Sequence, residues 1–201
     1  MRRRLEIFLW VSAACGILIY VSTRVEESSS QAYLNWKFAE ALELPAPAPG
    51  VDQIRPYPPK PPNQLSPSLA QPLGRLEIPS IELSAMFVEG VDSRSLRRAV
   101  GHIPGTALPG RSGNVVLSGH RDTFFRRLGR IHAGDVIWLT TFDGRHKYIA
   151  ESSGVIDSDE AVVLRDIGRP TLTLVTCYPF YYVGSAPKRF VVHASLATPS
   201  Q

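Results

Sequence analysis

The chain has 201 residues, of which 44% are hydrophobic and 20% are charged. This balance is typical of a globular protein and is enough for one ordinary domain with additional segments. The formal net charge is only +4, and three of the arginines are Arg2, Arg3 and Arg4. No basic stripe or Lys/Arg-rich run beside aromatic residues is present, so we predict no nucleic-acid partner.

The N-terminus predicts a membrane anchor. An apolar run extends from Leu5 to Val21 and follows three arginines, and its length is at the lower limit for a membrane-spanning helix. Positive charge before the run predicts a single-pass protein with a cytoplasmic N-terminus and everything after Arg24 outside the cytoplasm. We therefore predict an anchor over residues 1–24, with bilayer contact over 5–23. A cleaved secretory signal is the alternative, but Ser22-Thr23-Arg24 is a poor cleavage site.

Two further segments precede the main domain. Residues 25–44 are predicted to form a juxtamembrane helix, with Ser28 to Ser30 as capping residues and an apolar set that includes Trp36 and Phe38. Proline is frequent from Pro45 to Pro72, which prevents persistent helix or sheet. We predict that residues 45–73 are an extended, semi-rigid linker that holds a domain away from a surface.

Residues 74–198 are predicted to be a mainly β catalytic domain. Short β-type runs alternate there with Gly, Pro and Asp turn signals, without a strand–helix–strand rhythm, which favours an antiparallel-rich barrel. Short helices are predicted at Ser93–Val100 and Thr123–Ile131. The predicted strands are Arg75–Ile78, Leu83–Val88, Asn114–Ser118, Val136–Thr141, Lys147–Ile156, Leu172–Cys177 and Arg189–Ser195.

Three polar residues lie at predicted strand ends, where a rigid scaffold meets an open rim. His120 follows Gly119 after one strand, Cys177 ends another, and Arg189 begins a third. The only other cysteine is Cys15, inside the apolar N-terminal run, so a disulfide between the two is implausible. A lone thiol in an exported domain suggests a chemical role for Cys177, although a small buried hydrophobe is the common alternative.

These segments resemble the sortase family. Three features match its pattern: Gly119-His120, the run Thr173-Leu-Val-Thr-Cys177, and an arginine twelve residues after the cysteine. The similarity covers residues 74–196. The segment from Thr176 to Phe180 is most similar to class D members. The resemblance implies an eight-stranded sortase barrel behind an N-terminal transmembrane helix and the Pro-rich linker.

The resemblance also implies a reaction. A cysteine forms a thioester while cleaving an LPxTG-like sorting signal of a surface protein, and an amine from the cell wall or another subunit then accepts the acyl group. Cys177 would be the nucleophile, His120 the acid and base, and Arg189 the orienting or oxyanion-stabilising group. Supporting or substrate-binding roles are assigned to Thr176, Asp122, Thr173 and Tyr178.

No cofactor is predicted. Asp157, Asp159 and Glu160 cluster in one loop and offer oxygen ligands of the kind that calcium prefers. The same residues suit a helix cap equally well, so no metal ligand is assigned. A pilus-type lid is disfavoured, because residues 45–72 contain no Asp-Pro motif.

Several residues compete with the proposed triad. His193 shares a strand face with Arg189 but lies about 13–14 Å along the strand. Arg121 is expected to point away from the site and to pair with Asp122 or another acid. The remaining histidines, predicted to be structural or in polar turns, are His102, His132 and His146. Two other functions remain open: an L,D-transpeptidase-like acyltransferase, and a surface-binding module that keeps the barrel without activity.

Overall fold

One long helix and a set of eight strands make up most of the described chain. The computed structural model describes residues 2–43, 71–157, 163–164, 168–182 and 184–197. The predicted linker falls almost wholly outside these ranges, and so do Asp159 and Glu160. The elements are α1 Arg2–Glu43, β1 Pro72–Ile78, β2 Leu83–Glu89, α2 Ser93–Arg98, β3 Val100–His102, β4 Asn114–Ser118, β5 Val136–Thr141, β6 Gly144–Asp157, β7 Thr171–Tyr178 and β8 Lys188–Leu196.

The eight strands close into a barrel in the order β1-β2-β3-β4-β7-β8-β6-β5. Most neighbours are antiparallel, but β2 pairs with β3 and β4 pairs with β7 in parallel. Side chains alternate along β1, where every second residue is buried, because successive residues of a strand point to opposite faces. Closure leaves the barrel sheet without unpaired edges. The predicted mainly β class and eight-stranded barrel are confirmed.

Two apolar clusters lie on opposite faces of strands β4, β7 and β8. The barrel interior contains Leu117, Leu172 and Leu174, together with Val192. A second cluster lies on the outer face and is formed by Val116, Val163, Val175 and Val191. Strand β7 is therefore buried on both faces from Thr171 to Thr176. Such a strand is fixed in register from both sides, which makes its end a rigid position for a reactive group.

The helical predictions were correct only in part. The helix expected at Ser93–Val100 ends at Arg98, and Val100 already begins β3, a three-residue strand that was not predicted. The helix expected at Thr123–Ile131 is a series of turns ending in a short 3₁₀ helix, Leu128–Arg130. Gly129 lies within this segment and disfavours a longer helix; an added Cβ there would lie 2.7 Å from the ring of Phe180.

Helix α1 is continuous across the boundary predicted at residue 24. It runs from Arg2 to Glu43 without a break, so Ser28 to Ser30 do not cap a second helix. The helix includes the apolar run of residues 5–21. No helix in the described ranges combines the length and the apolar character that crossing a bilayer requires, so the predicted transmembrane helix is not supported.

The C-terminal half of α1 packs on the barrel. Leu34 and Phe38 are buried in a cluster with Met86, Val88 and Ala99. Gln31 makes two polar contacts: its Nε2 donates to the Arg98 carbonyl oxygen (2.6 Å), and its Oε1 accepts from the Met86 backbone N–H (2.8 Å). The helix therefore contributes both apolar area and backbone hydrogen bonding to the fold.

Shortening Leu34 should destabilise this docking. We expect Leu34→Ala to lower the free energy of unfolding by about 2–4 kcal/mol, because the side chain is 2% exposed and its removal leaves a cavity. Leu42→Ala on the same helix is the matched control; Leu42 is 50% exposed, and its loss should change stability by less than about 0.5 kcal/mol. Chemical denaturation measures both. Equal losses would show that α1 does not dock through this face.

Candidate active site

Cys177 and Arg189 lie directly opposite each other on neighbouring strands. Cys177 is near the end of β7 and Arg189 near the start of β8, and the two are register partners in the antiparallel β7–β8 pair. Directly opposed residues point to the same face of a sheet, with Cβ atoms about 4.5–5.5 Å apart. The pairing therefore places a thiol and a permanent positive charge side by side at the barrel rim.

His120 reaches the same rim from strand β4. Ser118, the last residue of β4, is level with Val175 in the parallel β4–β7 pair, and the Gly119 N–H extends the pairing by donating to the Val175 carbonyl oxygen (3.2 Å). Two residues further along each chain are His120 and Cys177. Because parallel neighbours at one level face the same side, the register brings the imidazole and the thiol together.

Two local contacts hold the turn that carries His120. The Thr176 hydroxyl donates to the Gly119 carbonyl oxygen (2.7 Å), and Phe125 packs against Gly119 so closely that an added Cβ would lie 2.9 Å from its ring. A side chain at position 119 would push the turn away from β7. Glycine is therefore required here by the close approach of Phe125.

The three residues line one pocket of about 260 Å³. Its floor is the outer face of β4 and β7. Its walls are formed by the β2–β3 connection, which contains α2, by the β3–β4 connection and by the β6–β7 connection. The pocket is lined largely by aliphatic side chains around a polar centre, which suits an extended peptide with apolar residues. The aliphatic lining residues are Val91, Leu96, Ile103, Val163, Leu164 and Val175.

The guanidinium of Arg189 is held by nearby backbone. Its Nη1 donates to the carbonyl oxygens of Ala186 (3.3 Å) and Lys188 (3.1 Å). These bonds orient the group at the rim next to the half-buried Cys177. A guanidinium has five N–H donors, so contacts made by Nη1 are compatible with further donation to a substrate carbonyl.

The supporting residues predicted from the sequence have different surroundings. Thr176 is buried and supports the His120 turn, as described above. Thr173 is also buried, but its hydroxyl donates to Asn114 Oδ1 (2.9 Å), and it does not line the pocket. Tyr178 stacks edge-on against Phe180 (centroids 5.9 Å apart) on the opposite face from Cys177. Asp122 is exposed, and no described hydrogen bond or ion pair joins it to His120.

The other histidines lie away from the pocket. His193 pairs with Thr173, four residues back from the Cys177 level; partial burial lowers its pKa, and the Glu151 carboxylate opposes this shift. His102 is buried, with Nδ1 bonded to Glu89 (2.7 Å) and Nε2 donating to the Ala107 carbonyl oxygen (3.0 Å). The predicted structural role of His102 is thereby confirmed. His132 is in a loop before β5, and His146 packs beneath Gly110.

The expected pairing of Arg121 with an acid is wrong. Its Nη2 donates to two backbone carbonyl oxygens of the β7–β8 connection, those of Tyr182 (2.9 Å) and Gly184 (3.0 Å). Its guanidinium also lies 5.7 Å from the centre of the Tyr182 ring. Arg121 therefore links the His120 turn to the loop that joins Cys177 to Arg189. The sequence contains no local signal for this contact, which joins residues about sixty positions apart.

The apolar walls of the pocket were also missed by sequence reasoning. Leu96 is in α2 and Val91 is in the turn before it, and both reach the pocket because Gly101 allows close packing. An added Cβ at Gly101 would lie 2.4 Å from the Gly90 carbonyl oxygen. Gly101 lies in β3, a strand that was not predicted, so the sequence did not reveal this close backbone approach.

A cysteine beside a histidine and an arginine, in one open pocket of a β-barrel, is an arrangement suited to cysteine-dependent acyl transfer. The sortase domain family matches residues 76–197, and the chain therefore belongs to the sortase family, whose members are cysteine transpeptidases. It is 39% identical over 133 residues to Sortase D of Bacillus subtilis (strain 168), covering 66% of this chain and 67% of that one. This similarity confirms the class D-like resemblance.

Other relatives agree on the family and the fold. Sortase A of Bacillus anthracis is 26% identical over 130 residues, covering 63% of this chain and 60% of that one. The structure of a Clostridium perfringens Sortase D5 transpeptidase superposes with a TM-score of 0.63 at 22% identity, covering 87% of this chain and 99% of that chain. The L,D-transpeptidase alternative is thereby set aside.

Removing the Arg121 side chain should loosen the β7–β8 connection. We expect Arg121→Ala to lower kcat/KM by about tenfold or more, because each lost charged hydrogen bond contributes about 1.5–3 kcal/mol. Hydrogen exchange of residues 181–186 should accelerate while the rest of the barrel is unchanged. Arg111→Ala, on an exposed loop with only a distant acidic partner (4.0 Å), is the control. Unchanged exchange in Arg121→Ala would contradict the linking role.

Proposed function

We propose that the protein is a membrane-attached sortase that cleaves an LPxTG-like sorting signal and transfers the acyl part to an amine. The observation that carries this proposal is the shared pocket of Cys177, His120 and Arg189. The family assignment supports the reaction class. The substrates would be surface proteins with a C-terminal sorting signal, and the acceptor an amine of the cell wall or of another subunit.

The first half of the reaction would be acylation of Cys177. The thiolate attacks the carbonyl carbon of the scissile peptide bond, so a C–S bond forms and a negative charge develops on the carbonyl oxygen. Collapse of this intermediate breaks the C–N bond, and His120 gives its proton to the leaving amine. The products are a thioester on Cys177 and the released C-terminal fragment.

The second half would be aminolysis. The acceptor amine attacks the thioester carbonyl, a C–N bond forms, the C–S bond breaks, and His120 takes the proton lost by the amine. Arg189 is suited to the developing oxyanion in both halves, because its charge is permanent and lies opposite Cys177. The aliphatic walls that include Leu96, Ile103 and Leu164 favour apolar residues of the signal.

We propose membrane attachment through the first part of α1, with the catalytic domain outside the cytoplasm. Nine of the described side chains in this part are large, apolar and exposed, and an aqueous location would leave an apolar surface that soluble proteins rarely carry. These residues are Ile7, Phe8, Leu9, Trp10, Val11, Ile17, Leu18, Tyr20 and Val21. Arginines at the start of the chain favour a cytoplasmic N-terminus.

Catalysis is proposed to proceed without a metal or other cofactor. The steps above need only a nucleophile, a proton carrier and an oxyanion donor, all of which the chain supplies. Asp157, one of the three acids considered for calcium, lies 3.6 Å from Lys188 Nζ. We expect a chelator to leave the reaction rate unchanged, and calcium-dependent activity would contradict this part of the proposal.

The catalytic roles are tested by trapping the acyl-enzyme. Incubation with an LPxTG-type peptide should add the mass of its N-terminal fragment to the wild type but not to Cys177→Ala. Cys15→Ala should retain the adduct and is the control for the second thiol. We expect His120→Ala to lower kcat by about a hundredfold to ten-thousandfold, and Arg189→Ala by about a hundredfold to a thousandfold.

A matched pair of variants separates the role of Arg189 from general charge. Lys188→Ala removes the neighbouring cation, whose side chain points to the other face of β8, and should have little effect. Arg189→Lys keeps the charge but loses the planar fork, so only part of the activity should return. Full turnover in His120→Ala or Arg189→Ala would remove that residue from the mechanism.

Membrane attachment is tested by placing charge in the apolar segment. We expect the wild-type chain to stay in the membrane fraction after alkaline carbonate extraction. Leu9→Arg combined with Leu18→Arg should release most of it, because each central arginine costs about 2.5–3.5 kcal/mol in a membrane helix. Leu42→Arg, beyond the apolar segment, is the control and should remain attached. Release of the wild type would overturn the proposal.

A further inference from the structure

A second, larger pocket of about 730 Å³ lies between α1 and the barrel. One side is formed by Ser28 and Gln31 of the helix. The other side is formed by the start of β2 and by the segment from Thr123 to Arg130. The pocket is separate from the Cys177 pocket, and none of the proposed catalytic residues lines it.

The pocket carries an excess of positive charge. Three arginines line it: Arg126, Arg127 and Arg130. Arg127 forms an ion pair with Glu82, which also lines the pocket. Arg126 and Arg130 are exposed, and neither forms an ion pair with any residue that the structure describes. After the Glu82 pairing is counted, two unneutralised guanidinium groups therefore face this space.

Hydroxyl groups in the same pocket add hydrogen-bond donors for an anion. Ser28 and Ser84 line the pocket. Thr123 also lines it, and its Oγ1 is buried without a hydrogen-bond partner in the described part of the chain. A buried hydroxyl without a partner is costly, and rotation of the Thr123 side chain toward the pocket would let an oxygen acceptor there satisfy it. Two arginines with nearby hydroxyl donors suit the oxygens of a phosphate group.

The position of the pocket along α1 indicates where that phosphate comes from. Exposed apolar side chains continue along the helix to Val21 and Val25. Ser28 is seven residues beyond Val21, a distance of about 10 Å along a helix axis, and less than one turn beyond Val25. The polar headgroup layer on each side of a bilayer is about 5–8 Å thick. If the apolar face enters the membrane as far as Val25, Ser28 lies about 4.5 Å beyond it, which is within the headgroup layer.

The segment from Thr123 to Arg130, which carries the three arginines, packs against aromatic residues next to the strand ends that hold Cys177 and Arg189. Gly129 contacts Phe180 closely, and Phe180 packs on Phe190 of β8 (centroids 5.3 Å apart), the residue after Arg189. Tyr181 of the β7–β8 connection lines the arginine pocket directly. A group bound there would therefore fix the side of the barrel that carries this connection relative to the membrane surface.

We propose that this pocket binds the phosphate headgroup of anionic phospholipids and so orients the barrel on the membrane. The inference rests on the proposed membrane attachment of α1. Each basic residue near an anionic surface strengthens binding by about fivefold. Arg126 and Arg130 together should therefore favour the docked arrangement by about 30-fold in anionic lipid over neutral lipid.

The test uses the full chain in lipid nanodiscs. One set contains phosphatidylcholine alone, and the other contains phosphatidylcholine with phosphatidylglycerol. Hydrogen exchange of residues 123–130 should be slower in the anionic discs by up to about 30-fold, and high salt should remove the difference. Arg126→Gln combined with Arg130→Gln should abolish it. Arg111→Gln combined with Lys147→Gln removes two cations outside the pocket and should preserve it.

The outcomes separate this inference from the proposed function. Phosphatidylcholine also carries a phosphate, but its choline cancels the charge. Equal exchange in both kinds of disc, with the protein incorporated in both, would therefore overturn a site selective for anionic headgroups and leave membrane attachment intact. Failure to enter either disc would overturn the attachment and with it this inference. Inorganic phosphate added to neutral discs should not slow exchange; slowing equal to that in anionic discs would assign the pocket to free phosphate instead of lipid.

Discussion

The pairing of β7 with β8 is the constraint on which the site depends. It places Cys177 opposite Arg189, and a slip of one residue would turn one of the two side chains to the other face of the sheet. The register is protected because β7 is buried on both faces, by Leu172 and Leu174 inside the barrel and by Val175 outside it. The stability of the barrel and the placement of the proposed nucleophile thus rely on the same strand.

The parallel pairing of β4 with β7 adds the third group. Parallel strands end at the same edge of a sheet, so His120, two residues after the end of β4, lies beside the end of β7. Gly119 and Thr176 then fix the height of His120 through two backbone-directed hydrogen bonds. The strand topology therefore brings together the imidazole and the thiol, although His120 and Cys177 are nearly sixty residues apart in the sequence.

The sequence predicted what local pattern determines. Alternating apolar residues indicated most of the strands, and strand ends indicated His120, Cys177 and Arg189. It failed where a distant partner decides the structure. Val100 became a strand instead of a helix end because it pairs with Phe87 and lies next to β4. Arg121 was expected to bind an acid, yet it binds carbonyl oxygens of a loop that comes close only after the barrel closes.

Helix α1 changes how the position of the barrel is understood. A semi-rigid linker was expected to set the distance of the catalytic domain from the membrane, but Gln31, Leu34 and Phe38 attach the barrel directly to the helix. Gln31 also occupies the Met86 backbone N–H of β2, just before the residue at which the short β3 begins to pair. A helix docked in this way fixes the orientation of the barrel relative to the helix, whereas a flexible linker limits only the distance between the two. Under the proposed membrane attachment, the side of the barrel that carries the β7–β8 connection would then face the membrane, because Tyr181 lines the pocket beside Ser28 and Gln31.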